Sequence, residues 1–171
     1  MGRKKYIQLN LKNIIFVLTA LILGLIIGIK IESAYEKSTF KAYSWKDPPT
    51  IVNCYGPDLH KKTIDLSVNY WILKGEAISG VVYRCDSRYI KRGSIVIYKN
   101  RSLIGSRTIG FATKKKYFGS IYYSEIFLRP GSQNYDMLLI HELGHSFGYG
   151  HKKIPGSIMH PEYDMMGLDL N

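Results

Sequence analysis

The first thirty residues and the rest of the chain follow different patterns of hydrophobic and polar positions. Residues 13–29, NIIFVLTALILGLIIGI, carry no charge between Lys12 and Lys30. A bilayer-spanning helix needs roughly 17 to 20 apolar residues, so the run predicts a transmembrane anchor over residues 13–31 behind a basic tail, residues 1–12. Residues 32–49, ESAYEKSTFKAYSWKDPP, show neither helical nor alternating spacing and close on Pro48 and Pro49, the composition of a linker.

From residue 50 to 171 the pattern is that of one folded domain. TIVNCY, 50–55, is β-branched and aromatic and is stopped by Gly56 and Pro57, which predicts a strand. Leu59, Ile64, Leu66, Val68, Trp71 and Ile72 recur at helical spacing, and Gly75 follows at the end. Residues 80–84 and 94–99 are further strands, 107–113 (RTIGFAT) reads as a short edge strand, and 120–128 (SIYYSEIFL) is the longest. Arg129, Pro130 and Gly131 end it. Asn134 or Asp136 then caps a helix whose apolar positions Met137, Leu138, Ile140 and Leu143 continue to Gly148. No internal repeat interrupts this order.

Composition narrows the class. The 171 residues hold 24 Lys and Arg against 13 Asp and Glu, a formal charge of +11, with 46% hydrophobic and 13% aromatic residues. That apolar content excludes a disordered chain, and two cysteines cannot staple a miniprotein. Arg3, Lys4, Lys5 and Lys12 before the apolar run are the flank of an inward-held terminus. The expectation is a single-pass protein with a cytoplasmic N-terminus and an extracytoplasmic domain. The alternatives are secretion after signal cleavage, although Glu32, two residues before Ala34, disfavours a signal-peptidase site, and a buried core helix. Residues 30–171 hold 20 of the 24 bases and all 13 acids, a net +7. Lys114, Lys115 and Lys116 read as a solvated loop, and no interleaved basic and aromatic motif points to nucleic acid. Cys54 and Cys85 lie 31 residues apart. In an oxidising compartment they would form a bridge, and otherwise they are two buried thiols.

Residues 141–151 read HELGHSFGYGH. His141 and His145 are four apart, so about 400° of helical rotation leaves them on one face, where two imidazoles can share an ion. Glu142 stands where a general base must, next to the first ligand without ligating. Gly148 lets the chain leave the helix with positive φ, and His151 then returns as a third nitrogen donor. Three imidazoles leave a fourth zinc position open, whereas a structural site would close it, commonly with cysteine. Five fixed residues in this span arise by chance on the order of once in 10⁴ chains.

This pattern, HExxHxxGxxH, resembles the zinc signature of the metzincin metalloproteases. SIMHP, 157–161, is similar to their Met-turn, with Met159 as its methionine. The short spacing from His151 to Met159 resembles the matrixin, matrix-metalloprotease-like, branch. TIGFAT, 108–113, resembles that branch's substrate-pairing edge strand, which would be Gly110, Phe111 and Ala112. The strand at 120–128 and the helix ending near Trp71 have counterparts there too. The resemblance implies an α+β catalytic domain with a mixed twisted sheet of about five strands and two main helices, holding one catalytic Zn²⁺. It also implies a protein or peptide substrate, with zinc on His141, His145 and His151 and Glu142 as general base. The family's C-terminal helix, calcium loops and cysteine-switch pro-segment are expected to be missing. CysTyrGlyPro, 54–57, matches the switch only faintly. His160 and Tyr163 follow the Met-turn, where they could reach the site, with packing the expected role of Tyr163. The rival reading from another class is a zinc-holding, catalytically inactive recognition module on a membrane anchor; the presence of Glu142 argues against it.

Overall fold

A computed structural model describes residues 18–26, 41–132, 135–162 and 166. Residues 18–26 are helical. The remainder of the expected anchor, the basic tail and residues 32–40 of the expected linker lie outside the described residues. Among the described residues no helix is long and apolar enough to cross a membrane. Contacts divide the chain into residues 1–39 and residues 40–171, and the second unit carries the domain.

Its six strands are β1 (Ser44–Trp45), β2 (Thr50–Cys54), β3 (Gly80–Val82), β4 (Ser94–Lys99), β5 (Gly110–Tyr117) and β6 (Ser120–Leu128), joined with helices α1 (Lys61–Leu73) and α2 (Tyr135–Phe147). β3, β2, β4 and β6 run side by side in parallel, and β5 pairs antiparallel with β6 along its whole length. β1 joins Ser120 and Ile121 in parallel, so it shares with β4 the edge of β6 that β5 leaves open. Parallel strands covered on both faces need continuous apolar runs, and β4 is fully buried over Ser94–Ile97.

Alternation decides which strand residues meet the helices. Ile51, Ile95, Ile97, Ile126 and Leu128 share one core with Ile64, Val68 and Trp71 of α1 and with Leu138, Leu139, Ile140, Leu143 and Phe147 of α2. In α1 the buried residues are Ile64, Ser67, Val68, Tyr70 and Trp71, while Leu66 and Ile72 face outward.

Four expectations need correction. The helix starts at Lys61 behind His60, so Leu59, expected on its apolar spacing, precedes it. The sheet has six strands rather than about five, because residues 41–49, expected as linker, contribute β1. Trp45 holds that segment down, donating its indole N–H to the Ser146 carbonyl at 2.9 Å and packing on the core. The short edge strand expected at 107–113 is displaced to Gly110–Tyr117. Consequently Lys114, Lys115 and Lys116 are strand residues paired with β6, not a loop. Two-sided hydrogen-bond demand is absent at a sheet edge, so charged side chains are tolerated there. Cys54 and Cys85 form a disulfide joining the end of β2 to the segment after β3.

Candidate metal centre

α2 sets the first two ligands. The rings of His141 and His145 have centroids 4.6 Å apart, and the His151 ring lies 5.4 Å from the first and 4.6 Å from the second. One ring nitrogen from each of the three lies within 4.8 Å of the others. His141 Nδ1 is 2.7 Å from the Ile158 carbonyl oxygen, and His145 Nδ1 is 2.9 Å from that of Tyr149. A carbonyl can only accept, so both Nδ1 atoms carry the proton and donate it. Both Nε2 lone pairs are thereby left for a metal, and the rings are fixed in orientation.

His151 arrives by a different route. After α2, Gly148 adopts φ 103°, and its N–H and that of Tyr149 bond back to the carbonyls of His145 and Gly144 at 3.0 Å each, a helix exit that a side chain would strain. A Cβ there would also run into the Tyr43 carbonyl. The turn is held from outside: the Ala42 N–H donates to the Gly148 carbonyl at 3.1 Å. The Tyr149 hydroxyl donates to Glu76 Oε1 at 2.7 Å, and Lys41 Nζ reaches both Glu76 oxygens at 2.7 Å. His151 Nε2 then sits 3.1 Å from His145 Nε2.

Met159 is 1% exposed, with its sulfur against Gly144 of α2, where any Cβ would overlap it. Its carbonyl accepts from the Lys152 N–H at 2.9 Å, tying the turn to the His151 loop. Trp71 meets the same Gly144 position and donates its indole N–H to the Ile140 carbonyl at 2.7 Å. His160 is buried, its Nδ1 accepting from the Glu162 N–H at 3.1 Å, and it is not among the converging nitrogens. Tyr163, like Asn134 as an expected helix cap, lies outside the described residues.

Burial tunes the charges. Loss of water pushes His145 down to about 4 and also lowers His141 and His151. All three imidazoles are therefore neutral at pH 7, the form a metal requires. Glu142 is 3% exposed; burial pushes its carboxyl up to about 8, against a downward pull from Lys114. Its Oε2 has no hydrogen-bond partner. An orphaned carboxyl oxygen on the residue after a ligand is what a site shaped for a further polar group leaves behind. The donor set fits zinc: three neutral nitrogens and no thiolate, since both cysteines are consumed in the disulfide.

Gly110, Phe111 and Ala112 lie at the start of β5, opposite Leu128, Phe127 and Ile126. The far edge of β5 pairs with no strand among the described residues. Gly110 sits close enough to the active helix that a Cβ would stand 3.0 Å from Leu138 Cδ1 and 3.1 Å from Glu142 Oε1. Lys41, Glu76 and Tyr149 had no signal in the sequence, because their contacts join segments 35 and 73 residues apart.

A profile of the peptidase family described as Matrixin matches residues 59–170, more than half of the chain. No curated protein matches it.

Proposed function

This chain belongs to the matrixin peptidase family, and on that premise we propose that it is a zinc-dependent endopeptidase, held at a membrane by residues 13–31 with its domain outside the cytoplasm. The observation that carries the reading is the convergence of His141, His145 and His151 beside a buried carboxyl with a free oxygen.

His141, His145 and His151 would hold the zinc, which when bound would supply Lewis acidity for a carbonyl and a water at this site. The chain's own residues do the remainder. Extended substrate pairs with the open edge of β5 at Gly110–Ala112, where main-chain bonds give affinity and side-chain pockets give selection. Glu142, one residue after a ligand, accepts the proton of the attacking water and returns it to the departing amine. Burial raises its proton affinity in the zinc-free protein, and a cation on the three imidazoles would return it to the ionised form that a base requires. An inactive zinc-holding module has no use for a buried, unpartnered carboxyl at this position, which favours hydrolysis.

Full-length protein in detergent, assayed on a mixed peptide library, is expected to cleave when zinc-loaded and to stop with a chelator. Glu142→Ala should lower kcat by about 10²- to 10⁴-fold while keeping its zinc. Zinc-loaded wild type that cuts no peptide between pH 6 and 9 would refute the reading. Residual membrane association after carbonate washing tests the anchor separately.

A further inference from the structure

The β5–β6 hairpin ends in two aromatics that the fold leaves in water. Tyr117 is 62% and Phe118 is 90% exposed, their rings stacked edge to face at 4.4 Å. Phe118 and Gly119 have φ values of 43° and 78°, a tight turn in which Asn or Asp ordinarily precedes the glycine because a bulky residue is strained there. The turn thus holds an aromatic outward at a position that disfavours it.

Cations surround the tip. Lys115 and Lys116 precede it on β5, Lys116 Nζ standing 3.8 Å from the Tyr43 ring and Lys115 Nζ 5.1 Å from that of Tyr123. Arg92 lies 5.0 Å over the Tyr122 ring. A cleft of about 330 Å³ behind Phe118 is walled by Trp45, Lys46, Arg92 and Tyr122, with Asp47 as its one acid. Rings with apolar faces and polar rims, mixed with Lys and Arg, suit a headgroup layer.

The path of the chain says what covers this face. The uncharged run ends at residue 29 and the folded unit begins at 40, so residues 30–39 reach at most about 35 Å. The unit's first residues, Tyr43 to Asp47, touch the same hairpin. We propose that the hairpin tip, Tyr117–Phe118 with Lys46, Arg92, Lys115 and Lys116, docks the domain on an anionic lipid surface, seating the two aromatics in the headgroup region. The proposal extends the anchored reading and rests on it only for the tether. Docking would hold the free edge of β5, which ends at this tip, near the membrane, which favours substrates presented close to the bilayer.

The test uses full-length Phe118→Trp in vesicles of phosphatidylcholine, with and without phosphatidylserine, reading tryptophan emission as a difference from wild type. On anionic vesicles the emission of the introduced indole should shift to the blue and lose about half its intensity to brominated acyl chains. Arg92→Gln and Lys115→Gln, each combined with Phe118→Trp, should weaken that docking about fivefold. Water-like emission from the introduced indole on anionic vesicles would overturn the proposal, as would equal quenching on neutral ones. A several-fold rise in KM for peptides in Phe118→Ser without lipid would also overturn it, by making the hairpin a substrate contact. Carbonate extraction reads the tether alone, so loss of the anchor and loss of docking are told apart.

Discussion

His141 and His145 reach the site on a rigid helix, whereas His151 reaches it on a loop. The helical pair are set by 3.6-residue periodicity, with each Nδ1 fixed by a backbone carbonyl. His151 is exposed, and among the described residues no carbonyl takes its second ring nitrogen. Its position depends on the turn at Gly148, which is wedged against Tyr43 and clamped through Tyr149, Glu76 and Lys41. Two ligands are thus placed by one helix, with their rings turned by carbonyls of the segment that follows it, and the third by packing across the domain. Disturbance of the 41–45 segment should therefore act on the metal chiefly through His151, and on His145 through the Tyr149 carbonyl that holds its Nδ1.

The largest effect expected is from His145→Ala, which removes a helical ligand. Zinc affinity measured by chelator competition should fall by more than the roughly 10- to 100-fold typical of losing an outer-shell partner, with α-helical circular dichroism unchanged. Next comes Gly148→Ala. A left-handed alanine and its overlap with the Tyr43 carbonyl should together cost about 3 kcal/mol of stability, seen in denaturant unfolding, and zinc affinity should drop with it. If that variant kept wild-type zinc affinity, the loop ligand would not depend on the turn. Glu76→Gln, which weakens the clamp without touching a ligand, should lower zinc affinity by up to about tenfold and leave the Nδ1 tautomers of His141 and His145 unchanged by NMR.

Protonation gives the mildest contrast. His145 has its folded pKa depressed to about 4 by burial. In the zinc-free protein its neutral form adds stability above the unfolded histidine value, about 6.5, and that stability is lost as pH falls toward 4. His141 acts in the same direction. Tm of the zinc-free protein should thus fall by several degrees across that window. Glu142 has the opposite sign. Its carboxyl is raised to about 8, so its contribution is present below the unfolded glutamate value and lost as pH rises through 8. Glu142→Gln should accordingly raise the Tm of the zinc-free protein at pH 8 relative to wild type.

The same division explains what could be read from the sequence. The helical ligands, Glu142 and the Gly148 exit were legible because each depends on neighbours within one or two turns, and the strands at 94–99 and 120–128 because apolar runs of that kind form buried parallel strands. β1 was not, since Ser44–Trp45 has no periodicity and becomes a strand only by meeting Ser120 and Ile121. Lys114–Lys116 looked like a loop because charge dominates composition, yet an edge strand needs only one partner, which β6 supplies. The Cys54–Cys85 pairing stayed open because spacing says nothing of approach, and β3 had to lie beside β2 to bring the two together.

X-ray absorption at the zinc edge of the loaded full-length protein tests the central claim most directly. A shell of three imidazole nitrogens at about 2.0–2.1 Å with one further light scatterer is the predicted result. A sulfur scatterer, or fewer than three imidazoles, would contradict it.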